Sequence, residues 1–505
     1  MIWHIFKKDL KLQWKFAALM AVLQFASMTL LLKLGPFQDS RSLRSLMPLM
    51  LLATVAGIPF LIAAVVHQDA IPGERQDWLV RPIQRGDLLL AKFLFVLLAV
   101  HGPMLFADLF RGLANGFAFG PSFASAVSHG LFVLLAFSVP LLAFASLTRN
   151  FMEAIVAGLI VFLCFVGFIF LVDQTISRGL LVTGSGLAWI PEAAVYVVGL
   201  AGGAAILCLQ YFRRRTIAAR GLAAGAVALA LLCVFLPWNA AFALERGLSP
   251  NPSTASAVAV SFDPALGKGH RAAALGAITD AATVFLPLRF ENLPAGSALI
   301  SDRAEVRLSE AGGASTRAGF GEISVRQETG GRSLATHLEL YVPGDLYQRI
   351  QDQPGQLEID LSLTLFRTVG VHTIPALNGN ARFPELGECM AKMNAAETAV
   401  RIGCVPLEEA PSCFGLRLQH VPSGRTNPPE FRCQGDYVPY FDELFLMPPP
   451  SRSVPFRDLS GLAKYPVDGS QLGESQIVIE TYQPVDHFTR TVVIPSTRLQ
   501  DWTPE

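Results

Sequence analysis

Two ionisable residues, His101 and Asp108, stand inside an apolar run with Pro103 between them. Charge is costly to hold in hydrocarbon, so such groups are functional candidates by default in a membrane segment. Asp108 lies near the end of its run, where it would also reach the headgroups. Four cysteines, Cys389, Cys404, Cys413 and Cys433, gather in a Pro- and Gly-rich insertion at 380–435. Their even number suits two disulfides on an oxidising side of a membrane. Pairing Cys389 with Cys404 and Cys413 with Cys433 is the expected choice among three connectivities. Structural zinc is the alternative, but the spacings contain no CxxC pair. Cys164, Cys208 and Cys233 lie in apolar runs as small polarisable filler. Hydrolytic and nucleotide chemistry has no motif here. GxxxxGK[ST], GxSxG and HExxH are absent, and Gly267-Lys268-Gly269 lacks the upstream glycine of a phosphate loop. No catalytic set, cofactor or metal is therefore expected in this chain, and work against a gradient must draw on a separate subunit.

Between two long apolar runs sits a charged, proline-punctuated stretch, HQDAIPGERQDWLVRPIQRGDLLLAK, from His67 to Lys92. Asp69, Pro72 and Gly73 supply turn chemistry. Glu74 to Val80 has room for about two helical turns with Trp78 and Leu79 on one side, and Pro82 stops the helix. Asp87 stands where the next helix needs its N-cap. The stretch suits either an ordinary solvated loop or a short rigid joint between two membrane helices, on which another protein can push.

The elements that must position these residues follow from composition. The chain has 505 residues, 52% of them hydrophobic, with mean hydropathy +0.43, too apolar for an average soluble protein. Residues 1–240 hold 18 Lys and Arg against 10 Asp and Glu, and the remainder holds 22 against 30. A zero net charge therefore hides a basic, membrane-like half and an acidic, soluble-like half with no basic patch for nucleic acid. Residues 1–15 interleave Lys7, Lys8, Lys11 and Lys15 with Trp3, Phe6 and Trp14, as in an interfacial elbow helix. Seven apolar segments follow within 16–238: Phe16 to Leu32, Leu46 to Val66, Leu88 to Phe110, Gly130 to Leu147, Ala154 to Val172, Ala193 to Tyr211 and Gly221 to Trp238. Each is near the roughly 17 to 25 residues that cross a bilayer. With the N-terminus inside, the inner joints hold thirteen Lys or Arg and the outer joints five, which obeys the positive-inside rule. Leu113 to Phe123 and Gly179 to Ile190 are too short to cross and read as interfacial or re-entrant pieces.

An odd number of spans puts everything after Trp238 outside. Residues 239–281 read as a linker. Residues 282–505 carry strand-like runs at 282–290, 297–308, 321–327, 336–342, 356–366, 415–421, 475–482 and 489–494, with clear alternation in LEIDLSLTLF. The expected fold is an all-α transmembrane bundle of about seven helices followed by an all-β, sandwich-like extracytoplasmic domain.

The lysine-rich start followed by an apolar run, and above all QDAIPGERQDWLVRPIQRGDLLLAK, resemble the membrane subunits of ABC-2 type exporters, in a bacterial branch. The resemblance covers roughly residues 1–240. It rests on Gln68, Asp69, Gly73, Trp78, Leu79, Arg81, Pro82, Ile83, Arg85, Leu88, Leu89 and Lys92. It implies a permease of the inner membrane, acting as a homodimer or with a related permease subunit. It also implies a cytoplasmic ABC ATPase partner that binds ATP and magnesium. The coupling segment 67–87 would dock in that ATPase, with Gln68, Asp69, Gly73, Arg75, Trp78, Leu79, Arg81, Pro82 and Arg85 as its coupling residues. A seventh span and a large outer β-domain depart from the usual six-span pattern and leave the substrate open. The alternative reading is a membrane-anchored sensor or scaffold whose outer β-domain binds a ligand or partner.

Overall fold

A computed structural model of the chain describes residues 1–34, 47–69, 84–177, 189–234, 238–268, 281–309, 315–322, 333–393, 398–405, 413–427, 430–433, 451–455 and 465–503. The N-terminal half is helical. Helix α1 runs unbroken over Ile2–Leu34, so the expected elbow at 1–15 and the first apolar segment are one helix. Gly and Pro are absent from this stretch and first appear at Gly35 and Pro36, so nothing in it interrupts the backbone ladder. Helix α2 (Met47–Val66) ends in a 3₁₀ turn, His67–Asp69. Helices α3 (Arg85–Val96) and α4 (Gly102–Asn115) are joined by the π-helical turn Leu97–His101. In the same way α5 (Phe119–Val133) and α6 (Val139–Leu147) are joined by the π-helical turn Leu134–Ser138. Helix α7 (Phe151–Ser177) is followed by α8 (Trp189–Cys208) with the π-helical turn Leu209–Arg213, then α9 (Thr216–Val234) and α10 (Trp238–Gly247).

Five helical stretches among the described residues are long and apolar enough to cross a membrane: Leu52–Asp69, Arg85–Asn115, Phe119–Leu147, Ala193–Arg213 and Thr216–Cys233. The segment 113–123 is no re-entrant piece. Gly116 takes the left-handed conformation (φ 99°) that closes α4, and α5 starts three residues later with Pro121 in its first turn, where a missing N–H costs nothing. The fourth apolar helix thus begins at Phe119 rather than near Gly130. Segment 179–190 lies outside the described residues up to its last two. Buried Met20, Leu61, Ile62, Phe95, Leu142 and Ala219 knit the helices into one core. A methyl group at Gly57 would collide with the Met20 sulfur, so α1 and α2 approach closely there.

The C-terminal half is an antiparallel β-structure of two sheets. The larger orders nine strands β1-β2-β5-β4-β3-β6-β13-β10-β11. These are β1 (Ala259–Phe262), β2 (Ala281–Glu291), β3 (Ser297–Ser309), β4 (Ser315–Glu322), β5 (Ser333–Pro343), β6 (Gly355–Pro375), β10 (Cys413–His420), β11 (Glu430–Cys433) and β13 (Ser475–Thr497). The smaller orders β12-β9-β8-β7, with β7 (Asn380–Phe383), β8 (Gly387–Met393), β9 (Ala399–Val405) and β12 (Ser451–Pro455). Arg490 on β13 donates to the carbonyls of Val258 and Ala255, bringing the start of β1 back towards β13. One core fills that curl around Leu286, Leu299, Leu340 and Leu361. A second lies between the sheets, with Ile374, Leu416 and Ile477 against Cys389, Val400 and Ile402. The runs 475–482 and 489–494, separate in the sequence reading, are one strand: register shifts at Thr481/Tyr482 and Pro484/Asp486 carry β13 past Pro484. The stretch 239–281, read as a linker, holds most of α10 and all of β1. Strand β4 ends at Glu322, and the rest of the run expected at 321–327 lies outside the described residues.

The β-structure rests on the α4–α5 turn. Ala118 donates its backbone N–H to Glu388 Oε2 (2.9 Å), Lys392 Nζ donates to Asn115 O (3.1 Å), and Phe117 packs with Met390 and Val405.

Candidate functional site

At the opposite end of the α3–α4 helix the structure builds a buried ion-pair cluster from three separate elements. Lys92, in the second turn of α3, is fully buried. Its ammonium donates to Asp9 Oδ2 on α1 at 2.8 Å and to Asp69 Oδ2 in the 3₁₀ turn after α2 at 2.7 Å. Lys8 donates to Asp69 Oδ1 at 2.6 Å and lies 3.7 Å from Asp9 Oδ1. Two cations and two anions alternate, so the set is neutral. Burial pushes the Asp9 carboxyl above the usual carboxylate range, against the pull of Lys92 and Lys8. Pairs of this kind hold geometry more than they add stability, because both desolvation costs must be met before attraction gains anything.

A rim of polar contacts ties the same face together. Thr148 gives its hydroxyl proton to Ala145 O, so His67 must donate Nε2–H to Thr148 Oγ1 (2.9 Å), joining α2 to the end of α6. Arg85 donates to Phe212 O at 2.7 Å, joining α3 to the π-turn after α8. Arg220 on α9 donates to Leu147 O at the C-terminus of α6, where a cation complements the helix dipole. Gln210 Nε2 reaches Ser146 O. Both flanks of the segment 70–83 are therefore fixed to the bundle: Asp69 on one side and Arg85 with Lys92 on the other.

Of the expected coupling residues, Gln68, Asp69 and Arg85 are described. Gly73, Arg75, Trp78, Leu79, Arg81 and Pro82 lie outside the described residues. The Gln68 amide is buried with no hydrogen-bond partner among the described residues. His101 and Asp108 do not meet each other. His101 Nε2 pairs with Ser138 Oγ (2.9 Å) and Asp108 Oδ2 with His129 Nδ1 (2.6 Å), both across to the α5–α6 helix. Arg111, one of the five cations that the charge count assigns to the outer joints, is buried on α4, as is Asp108. Cys389 and Cys404 form a disulfide across β8 and β9. Cys413 is disulfide-bonded, and its backbone stands in register with that of Cys433.

Sequence reasoning missed Asp9 and His129. Asp9 is the one acidic residue among the first 38 and interrupts a row of lysines, a signal that it has a buried partner. His129 falls one residue before the place where the fourth apolar segment was begun.

Residues 4–213 match the family described as ABC-2 family transporter protein. This stretch, from α1 to the π-helical turn after α8, is similar to the membrane region of ABC-2 transporters. The match ends before the β-structure. Comparison with curated proteins and with solved structures finds no significant match. The matched stretch thus contains the whole ion-pair cluster and both flanks of the segment 70–83.

Proposed function

We propose that the chain is the permease subunit of an ABC-2 type exporter. A separate cytoplasmic ATPase, which binds the ATP and magnesium, docks on the segment 67–87, and the permease moves a substrate the sequence does not identify. The observation that carries this reading is the Lys92 cluster. Displacing the segment 70–83 moves α1, α2 and α3 together, because ion pairs lock its two flanks to each other and to Asp9. A pushed joint needs that stiffness, and a plain anchor does not.

The topology we propose has the N-terminus in the cytoplasm and the β-domain outside. The thirteen-to-five charge asymmetry supports it, as does the position of the β-domain at the end of α4, away from the lysines. The functional unit pairs this chain with a second permease, as the family expectation has it.

The test is a mild-detergent purification of the full chain from its host, followed by an ATPase assay. Recovery of a Walker-motif subunit, with activity that falls when Trp78→Ala and Arg81→Ala are combined, is the expected result. Purification with no ATPase, or an activity that ignores the double substitution, counts against it. A sensor or scaffold would then be the better account. Thiol labelling of intact cells checks orientation: the β-domain cysteines should react only after reduction, and without cell breakage.

A further inference from the structure

The two helices that carry His101 and Ser138 share a short sequence. Residues 94–103 read LFVLLAVHGP and residues 131–140 read LFVLLAFSVP, identical at seven of ten positions. Both copies fold the same way. Each contains a π-helical turn, Leu97–His101 or Leu134–Ser138, and each resumes α-helix with a proline in its first turn, Pro103 or Pro140. The corresponding last residues of the two turns touch, through His101 Nε2 and Ser138 Oγ at 2.9 Å.

A π-turn carries one residue too many for the α-helical ladder, and a proline two residues on removes a donor. Pro103 cannot reach back to Ala99 O, nor Pro140 to Ala136 O. Two neighbouring helices have thus lost ladder bonds at one level of the bundle. Buried polar groups surround that level. Gln24 on α1 donates Nε2–H to Val100 O, inside the first π-turn, at 3.3 Å. Gln24 Oε1 and His101 Nδ1 are buried with no partner among the described residues, so this arrangement leaves hydrogen-bonding capacity unused. Below the level lies the Lys92 cluster; above it lie the Asp108–His129 pair and the turn that carries the β-domain.

We propose that the two π-turn–proline units form one hinge, at which the α3–α4 and α5–α6 helices bend together, fastened by the His101–Ser138 hydrogen bond. The end bearing Lys92 and the end bearing the β-domain are then two blocks that tilt about a shared level. The proposal concerns the bending of this chain alone and does not depend on an ATPase partner.

Spin labels at Leu90→Cys and Phe110→Cys, both on exposed side chains of α3 and α4, report the bend across ~30 Å. The full chain is placed in lipid nanodiscs with Cys164, Cys208 and Cys233 changed to Ser. A broad distance distribution is expected, narrowed by Pro103→Ala. Pro140→Ala, on the helix that bears no label, is expected to narrow it as well. A distribution already narrow in the unsubstituted chain overturns the proposal. So does a Pro140→Ala variant that leaves it unchanged, since the two helices would then bend independently. Should Pro140→Ala fail to fold, Ser138→Ala decides on the same label pair: a shifted or broadened distribution supports the shared hinge, and an unchanged one overturns it.

Discussion

Glu388 accepts a hydrogen bond from the backbone N–H of Ala118, the residue that opens α5, while Lys392, two positions further along the same face of the strand, donates to Asn115 O at the end of α4. Strand β8 therefore presents an anion to the N-terminus of one helix and a cation to the C-terminus of its neighbour, so both dipole ends are matched by charges of the β-domain. Phe117 fills the apolar gap between them.

Replacing Glu388 and Lys392 by Ala should loosen this seat by about 0.3–1 kcal/mol for each charge. Hydrogen exchange at 115–118 and 387–393 should speed up in the double variant while the helices around Phe95 stay protected. Unchanged exchange would mean that Phe117 and its apolar neighbours hold the domain alone.

Lys92→Met should be the most damaging single change in the helical half. It leaves Asp9 and Asp69 buried without their shared cation, at a cost of about 3–5 kcal/mol. Adding Asp9→Asn and Asp69→Asn to Lys92→Met should restore most of that loss, because no unpaired charge then stays buried. Asp9→Asn alone should cost less than Lys92→Met: burial already pushes that carboxyl toward its protonated form, and Lys92 keeps Asp69. Unfolding in detergent measures all three.

The helices were legible because their apolar runs are long, and the boundaries failed where backbone chemistry outweighed hydropathy. Nothing in the apolar count marks Gly116 as a helix stop, yet its left-handed conformation moved the fourth helix start to Phe119 and brought His129 opposite Asp108. The strands with clear alternation, β3, β5 and β6, were found. Strands β7, β8 and β9 were missed because glycine, proline and cysteine there read as loop, and the second sheet that seats the domain is built from them. Asp69 was singled out for turn chemistry and by resemblance, and Lys92 by resemblance alone. That they meet at one point, with Asp9 from the first turns of α1, is a property of packing that no local pattern carries.

Acid should destabilise the β-domain through His487. Thr364 gives its proton to Asp302 Oδ2, so His487 must donate Nδ1–H to Thr364 Oγ1 at 2.8 Å. Burial holds the imidazole below its ordinary value, with Asp486 opposing. The folded domain therefore binds this proton later than the unfolded chain. Stability from the neutral ring is full above about pH 6.5 and is lost as pH falls towards the depressed folded value. His487→Asn, which keeps a donor for Thr364, should flatten that part of the pH dependence in chemical unfolding of the full chain. An equal slope in the variant would assign the acid response to other histidines.

The disulfide Cys389–Cys404 should matter more to the seat than to the larger sheet. It closes a loop with a sequence separation of 15 residues between adjacent strands β8 and β9, a length for which crosslinking stabilises by about 3 kcal/mol. Cys389 is next to Glu388, so losing the link frees the strand that caps α5. The core around Leu286 and Leu361 belongs to other strands and should be spared. Proteolysis of the Cys389→Ser/Cys404→Ser variant should therefore cut first within 387–405 and leave a protected fragment containing β2, β3 and β5. Cleavage spread evenly over both sheets would show that the two cores unfold as one unit.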